Sequence, residues 1–221
     1  MRYLFQTRVL QQSATAAAVT ALVCYPRLLL WRETPLPVWY LETAIFLCGI
    51  LLWGFVFAWH TPYTGRPVFV LKLKPRLWLA ATVAGVIAAL VCHFWLDPVL
   101  RTRFPKEYPE DLTHWLAAVP FILSLNQLLL ILAPFDWLLR LVHKPWLAAA
   151  LTAILGVALM ASKISTLAAP VPPGLFLALM AIKLAGGLLA VFFYLRGGVL
   201  LVWWWALLLE SRHLFYLLAG T

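Results

Sequence analysis

Seven long apolar stretches alternate with short polar segments along the chain, and each holds 19 to 25 residues. About 20 apolar residues form a helix that crosses the roughly 30 Å hydrocarbon core of a bilayer. The pattern therefore predicts an all-α fold, a polytopic transmembrane helical bundle of about seven spans, with six to eight as the range. The predicted spans are Ser13–Trp31, Val38–Trp59, Leu77–Leu96, Trp115–Leu139, Trp146–Leu167, Leu175–Leu195 and Val199–Leu218.

Tryptophan and proline positions agree with these boundaries. Indole rings prefer the headgroup level of a membrane, and eight of the twelve tryptophans fall at the edges of apolar stretches, for example Trp39 and Trp59. Prolines interrupt helices, and most of the fifteen lie between the stretches or at their ends. The three inside a stretch, which we expect to kink a helix or loosen its last turn, are Pro26, Pro120 and Pro134.

Composition excludes a soluble class of protein. Hydrophobic residues make up 64% of the chain and charged residues 11%, with no polar segment long enough for a soluble domain. We therefore expect residues 1–221 to form a single integral membrane domain whose surroundings are the lipid bilayer. The net charge of +9 comes from basic residues beside the spans, so we expect them to fix topology, with no nucleic acid as partner. No phosphate-binding loop or zinc-binding pattern occurs in the sequence, and we predict no cofactor and no metal.

Basic residues also favour one orientation. With seven spans, nine basic residues fall on the N-terminal side of the membrane and six on the other, so the chain is expected to be multi-pass in a bacterial inner membrane with a cytoplasmic N-terminus. Between the second and third spans, Arg66–Arg76 alternates basic and apolar residues. Two interpretations remain open for this segment: a solvated loop on the positive side, or a segment lying along the membrane surface.

Polar side chains inside the predicted spans are the functional signal of the sequence. Each costs roughly 2.5–3.5 kcal/mol when ionisable and placed at the bilayer centre, so such groups usually face the bundle interior. Glu42, His93 and the pair Asp136 and Arg140 lie near boundaries, where we expect them to reach the interface or, for the pair, each other. The predicted intramembrane polar cluster consists of Asn126, Gln127, Lys163, Lys183, Glu210 and His213.

Both structural and functional roles are open for this predicted cluster. Asn126 and Gln127 lie near mid-span and would form an interhelical clamp or contact a ligand. Lys183 would neutralise Glu210 in an ion pair, with Lys163 as the alternative cation. A purely structural pair and a functional cavity both explain these residues.

A set of spaced features in the second half of the chain carries a family resemblance. These are Asn126-Gln127, Trp137-Leu-Leu-Arg140, Lys144-Pro-Trp146-Leu-Ala-Ala and Tyr194-Leu-Arg-Gly-Gly198. In the order and spacing of these features, residues 125–218 resemble the CPBP (CAAX-processing and bacteriocin-processing) family of glutamic intramembrane proteases. The resemblance implies a helical bundle with catalytic motifs E-E-x-x-x-R, F-x-x-x-H and H-x-x-x-N or H-x-x-x-D on successive spans.

The chain departs from the family at each motif position, so no catalytic residue transfers. An amide cannot take a proton from water as a glutamate does, because its oxygen is too weakly basic. The residues at the motif positions are Asn126, Gln127 and Ile131 for the first, Leu159 and Lys163 for the second, and Ala206 or Leu207 with Glu210 or Ser211 for the third.

Three functional hypotheses follow. The leading one is a non-catalytic protein that binds or scaffolds another membrane component, such as a membrane protein or a lipidated or transmembrane peptide. The second is a divergent active intramembrane endopeptidase that uses Glu210 and His213. The third is a small transporter or channel lined by Lys163, Lys183 and Glu210.

Overall fold

A computed structural model describes residues 3–30, 35–105, 108–165 and 171–219 of the chain. Within these ranges the regular structure is helical, apart from one isolated β-bridge between Phe69 and Gly198. The helices are α1 (Thr7–Leu30), α2 (Val38–Thr64), α3 (Pro75–Val91), α4 (Asp97–Arg103), α5 (Leu112–Phe121), α6 (Ala133–Val142), α7 (Pro145–Ser165), α8 (Pro173–Glu210) and α9 (Arg212–Ala219), with π-helical turns at Cys92–Leu96, Ile122–Asn126 and Leu128–Leu132.

Six helical stretches of the described chain are long and apolar enough to cross a membrane. The π-helical turns join α3 to α4 and α5 to α6, so each of these pairs forms one continuous span. The predicted all-α membrane bundle is confirmed. Trp31 and Leu167, the predicted ends of the first and fifth spans, lie outside the described residues.

The last stretch, Pro173–Leu218, doubles back on itself and supplies two crossings. Its 46 residues would measure about 69 Å as a straight helix, more than twice the hydrocarbon thickness. Gly198 has φ 67° and ψ −166°, which breaks the helix. A Cβ on Gly186 would lie 3.7 Å from the Trp205 ring, although a straight helix would separate these residues by about 28 Å. The chain therefore reverses at Gly198, and the described residues form seven helical segments long enough to cross a membrane, within the predicted range of six to eight.

Residues 65–74, which we call the strap, link α2 to α3 and reach back into the end of the bundle. Val68 is 6% exposed, and its carbonyl accepts a hydrogen bond of 3.0 Å from the Val199 amide. Gly198 allows this approach, because a Cβ there would collide with the Val68 carbonyl oxygen. The strap is thus anchored to α8 at Val68, while Leu71, Lys72 and Lys74 beyond it are exposed, and both interpretations of this segment stay predictions.

Several tryptophans pack inside the bundle instead of marking its edges. Trp39, Trp95 and Trp146 are exposed, as expected of interfacial rings. Trp59 is 2% exposed and lies under the Arg140 guanidinium, 4.6 Å from its ring centroid, so its ring packs against protein instead of facing lipid. In the run of three tryptophans near the C-terminus, Trp205 faces the core, which confirms that at least one ring turns inward.

Prolines act as the sequence predicts at two of the three internal sites. Pro120 lies at the end of α5, and the helix widens into π-helical turns directly after it. Pro134 lies two residues after the π-helical turn Leu128–Leu132 within the same continuous span, so a loosened turn accompanies it as well. Pro26 lies within α1, which continues past it to Leu30.

Candidate functional site

A fully buried carboxylate joins three helices near the strap end of the bundle. Asp136 of α6, His60 of α2 and Tyr194 of α8 all have no exposed surface. The Tyr194 hydroxyl donates to Asp136 Oδ2 at 2.6 Å, and His60 Nδ1 lies 3.1 Å from Asp136 Oδ1. The His60 and Tyr194 rings also pack together, with centroids 4.3 Å apart. We call these three residues the buried triad.

The triad has one polar atom without a partner. When Asp136 is ionised it only accepts hydrogen bonds, so His60 donates from Nδ1 and keeps a lone pair on Nε2. No described residue donates to that buried Nε2. In this arrangement the carboxylate fixes which imidazole nitrogen carries the proton. Such a pair can stabilise helix packing, and it can also take part in proton transfer. The predicted surface pair of Asp136 with Arg140 is wrong, because Asp136 turns inward and Arg140 stacks on Trp59.

The triad lies next to both attachment points of the strap. The His60 carbonyl accepts from the Thr64 hydroxyl, which in turn accepts from the Arg66 amide at 3.2 Å. The Arg66 guanidinium donates to the carbonyl of Leu195, the residue after Tyr194. Because His60 and Tyr194 both bond to Asp136, the triad holds the start of the strap in place relative to the reversal at Gly198.

A large apolar groove opens on the face of the bundle that the strap covers. Its volume is about 730 Å³, within the 300–1,000 Å³ typical of small-molecule sites. Three aromatic rings form one wall. The ring centroid of Trp53 lies 5.5 Å from that of Phe57 and 6.0 Å from that of Phe69. The remaining lining comes mostly from α1, together with residues 120–124 and Trp203. Phe69 belongs to the strap, so the strap forms part of the groove wall.

Hydrogen bonds fix the floor of this groove. The Trp53 indole donates to the Thr20 hydroxyl at 3.0 Å, and the Ser124 hydroxyl lies 3.5 Å from the Cys24 thiol. Thr20 and Ser124 also donate to backbone carbonyls one turn earlier in their own helices. These polar groups are already satisfied, so they leave an apolar surface for a ligand.

A second cavity of about 490 Å³ continues the groove toward the start of α1. Gln12, Phe57 and Phe69 line both cavities, so the two meet at these side chains. We call the second cavity the mouth, because it lies at the end of the bundle where α1 begins and α2 ends. Among the described residues, Arg8 is the one charged side chain in either lining, and none of those lining residues is Asp, Glu or His.

At the opposite end of the bundle, ion pairs join the third and seventh spans. Arg212 Nε lies 3.2 Å from Asp97 Oδ2, and its Nη1 lies 3.5 Å from Glu210 Oε1. Glu210 Oε2 also lies 3.5 Å from His213 Nε2. The Tyr108 hydroxyl donates to Asp97 at 2.9 Å. Burial and the neighbouring Asp97 carboxylate both raise the pKa of Tyr108 well above its ordinary value, so this phenol remains a donor.

The predicted intramembrane polar cluster is only partly assembled. Glu210 and His213 lie together, as their spacing indicates. The predicted ion pair of Lys183 with Glu210 is wrong, because Glu210 pairs with Arg212 and His213. Lys183 instead points toward α7, where its Cε would lie 3.5 Å from a Cβ on Gly156. Lys163 is exposed and lies close enough to Lys183 to repel it.

Asn126 and Gln127 lie where the two π-helical turns of the fourth span meet. Both are half-buried, and the side-chain oxygen of Gln127 accepts no hydrogen bond from any described residue. Neither amide bonds to Lys183 or Glu210. The interhelical clamp expected of this pair is therefore absent at Gln127 in the described part of the chain, and a ligand contact remains a prediction.

Sequence reasoning missed the triad and the groove. His60 and Asp136 are visible in the sequence as ionisable residues at span ends, where interfacial exposure is the simpler interpretation. Their similar depth, four residues before the end of α2 and six residues before the end of α6, is the signal that could have paired them. The groove depends on the strap folding back onto α8, which no local pattern encodes.

Comparison with known proteins assigns no family to the chain. No family model matches it, and neither the curated proteins nor the solved structures include a match.

Proposed function

We propose that this integral membrane protein is a non-catalytic binding protein, which holds the aliphatic chain of another membrane component in the groove. The single observation that carries the proposal is the groove itself: about 730 Å³ of apolar space between spans, lined by Trp53, Phe57, Phe69 and Trp203. Apolar cavities with a few polar groups at one end are typical of ligand sites. The component is a lipid or the lipidated tail of a protein.

The chemistry of the lining supports binding without hydrolysis. General acid–base catalysis needs a titratable side chain within hydrogen-bond reach of the reacting group. The groove and the mouth are lined by apolar, amide, hydroxyl and guanidinium side chains. The proposal agrees with a CPBP-like chain in which amides at 126 and 127 replace the paired glutamates.

The proposed orientation follows from the charges near the strap. Arg8, Lys72, Lys74 and Arg140 lie at the strap end of the bundle. Cytoplasmic loops carry an excess of such residues, so we place the strap and the mouth on the cytoplasmic side of a bacterial inner membrane.

Photo-crosslinking tests the proposed binding. Purified protein in lipid nanodiscs is irradiated with a long-chain fatty acid carrying a diazirine near its end, and labelled peptides are mapped by mass spectrometry. We expect label on α1 residues 16–23 and on residues 120–124, and we expect Ala16→Phe to reduce it by filling the groove. Label spread evenly over the lipid-facing helices would overturn the proposal.

Two further variants control this experiment. Ala80→Phe places the same bulk on an exposed position of α3, outside both cavities, and is expected to leave the labelling unchanged. Val19→Phe fills the groove from a position that is 53% exposed, where a larger side chain meets little resistance to folding. It is expected to act as Ala16→Phe does.

One observation favours the endopeptidase as a second candidate. His213 is buried, Glu210 is partly buried, and the two lie 3.5 Å apart, the kind of pair that can activate a water molecule. Arg212 lies equally close to Glu210 and stabilises it as an ion pair, which favours a structural role. Cleavage of a transmembrane peptide that is lost in Glu210→Gln, with unchanged thermal stability, would establish the peptidase and overturn the binding-only proposal.

A further inference from the structure

We propose that the ligand of the groove is an anionic lipid whose headgroup is bound at the mouth by Arg8. The inference rests on the proposed function, because it identifies the polar end of the component whose chain occupies the groove. Three observations support it: the positive charge of the mouth, the guanidinium of Arg8 without a partner among the described residues, and the length of the two cavities along α1.

Charge at the mouth is positive and uncompensated. Arg8 is exposed in the mouth, and its guanidinium makes no hydrogen bond or ion pair with any described residue. A guanidinium presents five donors that match the planar oxygens of phosphate and carboxylate groups. No described residue of either lining is acidic, so none of them competes with an anion for these donors.

The start of α1 also favours the binding of an anion at the mouth. α1 begins at Thr7 and has 24 residues, so the amides of its first turn lie at the mouth beside Arg8. Unpaired amides and the helix dipole favour negative charge at this end. Gln6 and Gln12 add neutral side chains that can donate to ester or phosphate oxygens.

The distance along α1 from the mouth to the far end of the groove is long enough for the headgroup and acyl chain of a lipid. Arg8 lies one residue inside α1, at the end of the first apolar span, whereas Val23 lies at the far end of the groove. The 15 residues between them span about 22 Å of helix, more than the roughly 15 Å of one leaflet's hydrocarbon. A lipid of the strap-side leaflet therefore fits with its headgroup at Arg8 and its tail against Trp53.

Matched lipids test the inference. Detergent-solubilised protein is titrated with phosphatidylglycerol and with phosphatidylcholine of identical acyl chains, and bound lipid is counted by native mass spectrometry. We expect about fivefold tighter binding of phosphatidylglycerol, because one basic contact near a membrane surface contributes about 1 kcal/mol. Arg8→Gln is expected to remove this preference, and Arg8→Lys to retain most of it.

Arg76→Gln is the matched control. Arg76 is exposed in the first turn of α3 at the same end of the bundle and lines neither cavity. Its substitution removes one positive charge but is expected to preserve the preference for the anionic lipid.

The outcomes separate this inference from the proposed function. Equal binding of both lipids by the unsubstituted protein, or a preference that survives Arg8→Gln, would overturn the anionic headgroup and leave groove binding intact. Failure of both lipids to bind would overturn the proposed function and this inference with it. Because Arg8 is exposed, its variants are expected to fold as the unsubstituted protein does, and their elution volume and melting temperature check this directly.

Discussion

The Tyr194 hydroxyl donates a 2.6 Å hydrogen bond to Asp136 Oδ2, and this contact ties the sixth crossing to the fourth one turn below the reversal at Gly198. His60 bonds to the other oxygen of the same carboxylate and brings in the second crossing. Three helices therefore meet at one buried carboxyl group. Because the strap is attached beside His60 and beside Tyr194, this carboxyl group also fixes the wall of the groove.

Tyr194→Phe tests the triad. The substitution removes one hydrogen bond to a buried carboxylate and leaves the ring packing intact. We expect the free energy of unfolding to fall by about 1–2 kcal/mol. This value lies between the contribution of a typical interhelical hydrogen bond in a membrane and that of a hydrogen bond to a charged group in water. Denaturation in mixed micelles, followed by circular dichroism, measures the change.

Tyr63→Phe is the control for this prediction. Tyr63 lies on α2 near the same end of the bundle and packs on His143, and its hydroxyl bonds to no described residue. Its removal is expected to change stability little. Equal losses from both variants would show that the Tyr194 hydroxyl contributes nothing specific.

Gly198→Ala tests the contact of the strap with the helix reversal. A methyl group at Gly198 would collide with the Val68 carbonyl, and φ of 67° is itself unfavourable for alanine. Gly65→Ala separates these effects, because Gly65 has φ of 69° with nothing within 4 Å of the added Cβ. We expect roughly 1–2 kcal/mol of destabilisation at Gly65 and a clearly larger loss at Gly198, accompanied by increased hydrogen exchange in the strap. Equal losses would contradict the packing of the strap on α8.

Lys183→Met tests whether this lysine serves architecture or transport. Its ammonium has no acidic partner among the described residues and lies close to Lys163. Removing a poorly solvated charge is expected to raise the melting temperature by about 2–4 °C, the shift that roughly 1 kcal/mol gives in a chain of this size. Lys163→Met, at an exposed position, is expected to change it little. A lower melting temperature in Lys183→Met would mean that the ammonium is bonded, and loss of ion flux in liposomes would favour a pathway.

Reporter fusions test the count of crossings. A reversal at Gly198 places the end of α9 on the opposite side of the membrane from the start of α1, whereas a continuous α8 would place both on one side. We expect fusions after Gly65 and after Leu218 to report opposite compartments. Reports from the same compartment would contradict the reversal.

Helix positions are predictable from this sequence because hydrocarbon imposes a strict length on each crossing. The start of α2 at Val38 agrees with the prediction to the residue, and α3, α7 and α8 begin within two residues of their predicted starts. Even the reversal at 198 follows, since the apolar run there is twice the thickness of a bilayer. Length and polarity are local properties, so the sequence carries them directly.

Side-chain partners are less predictable because they depend on helix rotation. Lys183 and Glu210 have compatible charges and similar depths but face different neighbours, so their predicted pairing is wrong. Asp136 has Arg140 one turn away on its own helix, yet it bonds to His60 and Tyr194, which are 76 and 58 residues away in the sequence. A local pattern cannot distinguish these alternatives, because tertiary packing decides which face turns inward.

The most direct measurement of the central claim is a density map of the purified protein in nanodiscs of phosphatidylglycerol and phosphatidylcholine. The account predicts an elongated density in the groove, in contact with Trp53, Phe57 and Phe69, with its polar end within hydrogen-bond distance of Arg8. A groove closed by side chains, with lipid density confined to the outer faces of the bundle, would contradict it.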